Sequence, residues 1–278
     1  MIPLVLTPET VRAAEAFDDA FHLARMEAAA RAWPEAGIEV RRVGGLTAVL
    51  VAEPSLRSKN RILSFGPTTA DRLDEALALY CERGLPTHFR LPRNGWSAEL
   101  FDALVAAGLR SAGSGATPAA LPQALPTSAD VFVRDSPPEE ERTYMAIYRR
   151  AFGTRGLVTE AQARFQWIED SLPGSRRFVA EVGGEPAGVA SMVVLSGTAY
   201  LAMCGVLPEF RGRGVHRALI EARLGAAHAA GCALALGGGD LFSPPRRNFE
   251  RCGFAPIPLG MSWSYVPPAI TAAPLSRP

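Results

Sequence analysis

The sequence predicts an α/β protein with mixed sheet, one fold used twice in tandem, and three observations carry that prediction. Residues 39–67, EVRRVGGLTAVLVAEPSLRSKNRILSFGP, and residues 178–208, FVAEVGGEPAGVASMVVLSGTAYLAMCGVLP, share one layout. Each has a strand-like run, a V-G-G turn, a second strand, a polar tip and a third strand ending in proline. A helix then follows in both halves, and both helices stop at a glycine. Elements in the same order at nearly equal spacing mark a repeated supersecondary unit.

In chain order, Phe17, Phe21, Ala24 and Ala28 mark one face of an opening helix. The first three strands follow, and after Pro67 the residues Leu73, Ala76, Leu77 and Tyr80 fall at i, i+3, i+4 and i+7. Gly84 ends that helix as a left-handed cap would and leads into the strand THFRL. A second helix ends at Gly108-Leu109, and a strand-rich tail closes the half. The Pro/Ala/Ser stretch TPAALPQALPTSAD, residues 117–130, has the composition of a linker. The second half opens with two helices, YMAIYRRAF and AQARFQWIEDSL, then repeats the strands. Val215, Ala218, Leu219 and Ala222 make the next helical face, Gly231 ends it, ALALG is the following strand, and a helix SPPRRNFER runs to Gly253-Phe254. PPAITAAPLSRP has little to bury. The expected division is 1–120 for the first domain, 121–130 for the linker, 131–266 for the second domain and 267–278 for a loose tail.

Composition narrows the partners. Apolar residues make up 48% and charged residues 21% of 278, which is the range of globular proteins. A net charge of +1 gives no broad basic field, so nucleic acid is not an expected partner. Cys81, Cys204, Cys232 and Cys252 are too scattered for a disulfide framework and form no C-x-x-C pair, so reduced thiols and no metal are expected. The opening MIPLVLTPET lacks a basic stretch and a long apolar run, and nowhere are there about 18 unbroken apolar residues. A soluble, cytoplasmic protein with no membrane partner is expected.

The halves differ at the connection between proline and helix. Pro208 to Leu219 spans 11 positions and contains R-G-R-G, whereas Pro67 to Leu73 spans 6 and lacks both glycines. A helix start offers unpaired N–H groups and partial positive charge, and glycine lets backbone close around phosphate oxygens. Arg211 and Arg213 add charge to this nest, which suits a diphosphate. Only the second half is equipped to bind one.

PEFRGRGVHRAL follows the strand AYLAMCGVL and opens a helix, and some 40 residues later comes NFERCGF, a helix end before a strand. Here residues 131–266 resemble the GCN5-related N-acetyltransferase (GNAT) superfamily, whose motif is R/Q-x-x-G-x-G/A after a strand. The first half resembles the same fold by layout, as a degenerate copy. Two departures stand out: His216 occupies the last motif position, normally Gly or Ala, and Phe249 stands where many members carry the tyrosine that protonates the leaving thiolate.

The resemblance implies acetyl-CoA as cosubstrate and direct attack by a primary amine of a small molecule in a ternary complex. It implies that the diphosphate takes backbone N–H groups from Arg211, Gly212, Arg213, Gly214, Val215 and His216. It also implies that pantetheine pairs like a strand with Met203, Cys204, Gly205 and Val206, with Asn248 flanking. Gly205 reads equally as a strand bulge, and Cys204 as packing. For proton transfer, Asp240 follows ALALGGG at the cleft end, although a turn aspartate explains it too, and Ser243 stands as donor or as the cap of the next helix. His216 has a suitable ordinary pKa but sits beside the diphosphate, away from the thioester. Tyr148, Phe152, Trp167, Met261 and Trp263 are the candidate acceptor-pocket residues. A non-catalytic acyl-CoA sensor is the alternative, and a homodimer stays open.

Overall fold

A computed structural model of the chain describes residues 3–126, 130–153, 158–238 and 244–267. In order they form α1 (Pro8–Ala32), β1 (Ile38–Val43), β2 (Leu46–Val51), β3 (Arg61–Leu63), α2 (Leu73–Glu82), β4 (Thr87–Leu91), α3 (Ala98–Ala106), β5 (Arg110–Ala120), β6 (Phe132–Asp135), α4 (Glu141–Gly153) and α5 (Glu160–Glu169). There follow β7 (Ser175–Val182), β8 (Glu185–Leu195), β9 (Thr198–Val206), α6 (Val215–Ala229), β10 (Leu234–Gly237), α7 (Pro244–Arg251) and β11 (Ala255–Tyr265). The chain divides into two compact units: Asp18–Gly115 with Leu259–Pro278, and Met1–Phe17 with Ala116–Pro258. These are called the amino-terminal and carboxy-terminal units below.

In the amino-terminal unit the strands run β1-β2-β3-β4-β11. The V-G-G turn bends as expected, with Gly44 at φ +57°, and β1 pairs β2 antiparallel from Ile38↔Val51 to Val43↔Leu46. β3 lies parallel to β4 through a single register pair, Arg61↔His88, and β11 runs antiparallel to β4 from Met261↔Leu91 to Tyr265↔Thr87. Leu46, Leu50, Ile62, Tyr80, Phe89, Leu104 and Trp263 are buried together. The Tyr80 hydroxyl, which sits on α2, reaches the carbonyls of Val49 and Arg61 at 2.9 Å each, so one helix residue pins two strands.

In the carboxy-terminal unit β6, β7, β8 and β9 form an antiparallel meander, β10 lies parallel to β9, and the end of β5 runs antiparallel to β10. A Cβ on Gly188 would meet Val215 and Leu219 of α6, while one on Gly205 would meet Ala151 and Phe152 of α4. Gly205 is paired with Val189, the neighbour of Gly188, and adjacent residues of a strand face opposite ways. α6 and α4 therefore cover opposite faces of this sheet.

Several expectations change here. Residues 117–120 belong to β5 rather than to a linker: Ala119 and Ala120 are fully buried opposite Leu236 and Ala235, because alanine is small enough for a crowded central strand. On α1 the buried row after Phe17 and Phe21 continues through Met26 and Ala29, with Ala24 and Ala28 only half-buried. α5 is opened by a capping box between Thr159 and Gln162, which fixes its first turn. The units also divide at 17/18, 115/116 and 258/259, where the sequence suggested one cut at 121–130. Each unit takes a strand from the other half of the expected division, β11 in the amino-terminal unit and the end of β5 in the carboxy-terminal one.

Candidate functional site

The R-G-R-G segment sits where β9 gives way to α6. Leu207 closes β9 by donating its N–H to the Ala187 carbonyl at 2.9 Å, and Pro208–Phe210 make one 3-10 turn with the Phe210 ring buried. Gly212 and Gly214 then adopt φ +78° and +81°, conformations that side-chain-bearing residues rarely take. A Cβ at either glycine would meet no atom within 4 Å, so backbone geometry rather than crowding demands glycine, and the space above the turn is open. Gly214 is the N-cap of α6, and Ala218 is the residue whose N–H bonds back to its carbonyl, at 3.0 Å. The N–H groups of Val215, His216 and Arg217 thus belong to the first turn, where a helix has no internal acceptor for them.

The arginines do different work from that expected. Arg211 bonds its own N–H to the Pro208 carbonyl at 3.3 Å, and its guanidinium reaches the carbonyls of Ala151 at 3.1 Å and Val206 at 3.4 Å. It ties the loop to the end of α4. The Arg213 guanidinium lies over the Phe210 ring, 5.4 Å from its centroid. Val215 buries its side chain in the core, leaving only its backbone to face a ligand.

Pairing between β9 and β10 runs from Thr198↔Leu234 to Leu201↔Gly237, and Gly238 adds one bond from its N–H to the Leu201 carbonyl at 2.9 Å. β9 continues for five more residues, Ala202 to Val206, with β8 on its other side. These two parallel strands therefore part at Leu201, and one edge of Met203, Cys204, Gly205 and Val206 lies outside the ladder with β10. The β8–β9 register slips at the same height: Ala190 faces Cys204 but Met192 faces Leu201, so Ala202 and Met203 together oppose Ser191. This is a β-bulge, and it bends the strand away. Gly205 lies beyond it, and its missing side chain is explained by α4, since a Cβ there would stand 2.9 Å from both Ala151 and Phe152.

Around this edge lie the other candidates. Cys204 is half-buried. Burial opposes ionisation of its thiol, but the His216 imidazole and Arg223 guanidinium outweigh that and hold its pKa below the ordinary value. Asn248 meets His216 Nδ1 at 3.2 Å, so α7 and the start of α6 are joined beside the loop. Phe249 is buried against Gly237 and Phe254. Asp240 and Ser243 lie outside the described residues.

Two buried groups escaped sequence reasoning. Asp170, at the end of α5, accepts from Tyr144 at 3.1 Å and Gln166 at 2.9 Å, and burial pushes its pKa up to about 7. Arg223, on α6, is fully buried. An i,i+4 count could have placed both on buried helix faces, but neither carries a local motif.

The proposed acceptor residues fall in two different units. Tyr148, Phe152 and Trp167 pack in the core of the carboxy-terminal unit, where burial raises the Tyr148 pKa to about 12. Trp263 and Met261 belong to the core of the amino-terminal unit, because β11 pairs with β4 there. Met261 lines a pocket with Leu91, Trp96, Phe101 and Asp102.

The amino-terminal counterpart of the loop is closed on itself. Pro67–Arg72 form a 3-10 helix, the Thr69 hydroxyl accepts the Gly66 N–H at 3.0 Å, and the Thr69 N–H bonds to the Gly66 carbonyl at 3.0 Å. Between β3 and α1, Arg61 pairs with Asp18 at 2.5 Å and Asp19 at 2.8 Å, and Arg90 of β4 also holds Asp18. Charged side chains occupy the place where β3 and β4 leave each other.

Residues 142–254 match the model of the Acetyltransferase (GNAT) family. No curated protein sequence matches the chain. Among solved structures, the chain is similar to a GCN5-related N-acetyltransferase from Kribbella flavida, with TM-score 0.58 and 18% identity over 88% of this chain and 96% of that one. A tandem GNAT protein from the clavulanic acid biosynthesis pathway aligns with TM-score 0.60 at 14% identity, covering 95% and 97%. A GCN5-related N-acetyltransferase from Sphaerobacter thermophilus aligns with TM-score 0.56 at 15% identity, covering 90% and 93%. These likenesses establish the fold, a mixed α/β fold shared with GNAT acetyltransferases and with a tandem GNAT protein.

Proposed function

We propose that this chain, whose residues 142–254 are a GNAT domain, is an acetyl-CoA-dependent N-acetyltransferase acting on a primary amine of a small molecule by direct attack. The observation that carries the reading is the edge of β9 that the described residues of β10 leave unpaired, followed through the Pro208–Gly214 turn with its two positive-φ glycines by a helix N-terminus. The residues fit the cosubstrate. The N–H groups from Gly212 to His216 supply donors for a diphosphate, and the free edge at Met203–Val206 supplies strand-like bonds for an amide-bearing arm. In this reading a backbone N–H of β9 near Val206 stabilises negative charge on the thioester oxygen. Acetyl-CoA supplies the activated acyl group; Ser243 and Asp240 remain the proposed groups for moving protons. The amino-terminal half, with its closed loop, is proposed to serve as a structural or specificity partner, and a cytoplasmic setting with a self-associating dimer is part of the same proposal.

A thermal-melt titration with acetyl-CoA tests this beside Gly212→Asp, which puts a carboxylate over the nest. At 100-fold over Kd, binding adds about 2.7 kcal/mol, a rise of roughly 5 °C or more. The wild type should shift and the variant should not; a wild type that fails to shift at millimolar ligand overturns the reading.

The second reading, an acyl-CoA sensor without turnover, is favoured by Phe249, a buried ring with no hydroxyl. A melt shift without CoA release across a panel of amines would select it.

A further inference from the structure

From α6, Arg223 enters the gap where β9 slips against β8. Its Nε donates to the Leu219 carbonyl one turn back at 2.9 Å, which fixes the side chain against its own helix. Its Nη1 donates to the Ser191 carbonyl at 3.0 Å and the Met203 carbonyl at 3.3 Å. These carbonyls stand one on each strand at the bulge, where two residues oppose one and a ladder bond is lost. A buried carbonyl without a donor is costly, and a guanidinium is rigid enough to bridge two of them. Among the described residues the Nη2 group is buried with no hydrogen-bond partner, and the Cys204 thiol and Tyr144 lie close enough to interact with the charge, so the two carbonyls are the hydrogen-bond acceptors that Nη1 reaches at the bulge.

We infer that Arg223 is the positioning residue that holds β9 in its bulged course, and so presents the backbone of Met203–Val206 as the slot for the pantetheine arm of an acyl-CoA. The inference rests on the proposed acyl-CoA reading. Arg223 touches no ligand; it acts through Met203, whose carbonyl it turns toward α6 and away from the edge that β10 vacates. The R-G-R-G nest lies beyond the strand end and is held by other contacts, those of Arg211 and Phe210. Loss of the strut should therefore injure one part of the ligand site and spare the other.

The test compares two probes, acetyl-CoA and adenosine 3′,5′-bisphosphate, a nucleotide fragment without the arm, by calorimetry on the full chain. Arg223→Met should weaken acetyl-CoA binding about tenfold or more, while the fragment changes by less than about twofold. Arg223→Lys, which keeps charge and stem but cannot bridge both carbonyls, should fall on the same side. Equal losses of both probes, or no loss of either, overturn the inference. If the methionine variant does not fold, the lysine variant carries the comparison. In the unmodified protein the Arg223 guanidinium N–H signals should exchange slowly with water by NMR, and rapid exchange would also overturn it. If the wild type binds neither probe, the acyl-CoA reading itself has failed, which is a separate result.

Discussion

The Phe249 ring lies against Gly237 so closely that a Cβ on the glycine would stand 2.7 Å from its Cε1. The last residue of β10 is thus glycine because α7 lays an aromatic ring on it. Gly237→Ala must push that ring aside in a packed core, and should cost about 1–3 kcal/mol. The urea midpoint measures it; an unchanged midpoint would mean that the ring has room to move.

Asp170 makes stability depend on pH in an unusual direction. Burial raises its folded pKa from 3.8 to about 7. Between those values the folded chain keeps a proton that the unfolded chain has released. Its contribution is therefore full below about pH 4, falls as pH rises toward 7, and is flat beyond. Relative to wild type, Asp170→Asn should gain stability steadily from pH 4 to 7 in denaturant titrations. His88 slopes the other way, since burial, with Arg61 and Arg90 nearby, lowers its pKa to about 4. His88→Gln should thus lose most of its disadvantage as the pH falls from 6.5 to 4.

In the amino-terminal unit, Asp18→Ala leaves Arg61 with Asp19 and removes the partner recorded for Arg90. Because Arg61 is buried while Asp18 is a third exposed, the loss should be on the order of 2 kcal/mol, below that of a fully buried pair. Stability should also recover with Asp18→Asn only in part, because the amide keeps the shape without the charge. Thermal melts of the two variants at low and high salt check both statements.

Cys204 and Cys252 should differ sharply toward alkylating reagents. The first thiol is held below its ordinary pKa beside His216 and Arg223, whereas burial pushes the second up to about 11. Peptide-level mass spectrometry at neutral pH should find Cys204 modified before Cys252, and acetyl-CoA should slow that modification. Equal rates, or no protection by ligand, would count against a ligand edge at Cys204.

What the sequence made legible was local. The V-G-G hairpins, the glycine stops at Gly84 and Gly231, and the R-G-R-G turn each depend on a few adjacent residues, and each stands where the spacing put it. What stayed hidden depends on partners far along the chain. Arg223 looks like one more charged residue on an amphipathic helix until the β8–β9 slip supplies carbonyls for it. The family resemblance groups Met261 and Trp263, on the last strand, with Tyr148 on an early helix. Pairing of β11 with β4 puts the first two in the core of the amino-terminal unit, and no periodicity encodes which edge a strand will choose.

That exchange of strands bears on how the molecule is made. While the chain is being synthesised, β1 to β4 are complete after residue 91, yet the strand that covers the far edge of β4 begins only after residue 254. Until that later segment is made, the edge carries unpaired N–H and carbonyl groups, a surface prone to pairing with any passing strand. The nascent β1–β4 sheet must therefore wait, one strand short, for the segment that holds β11 to emerge.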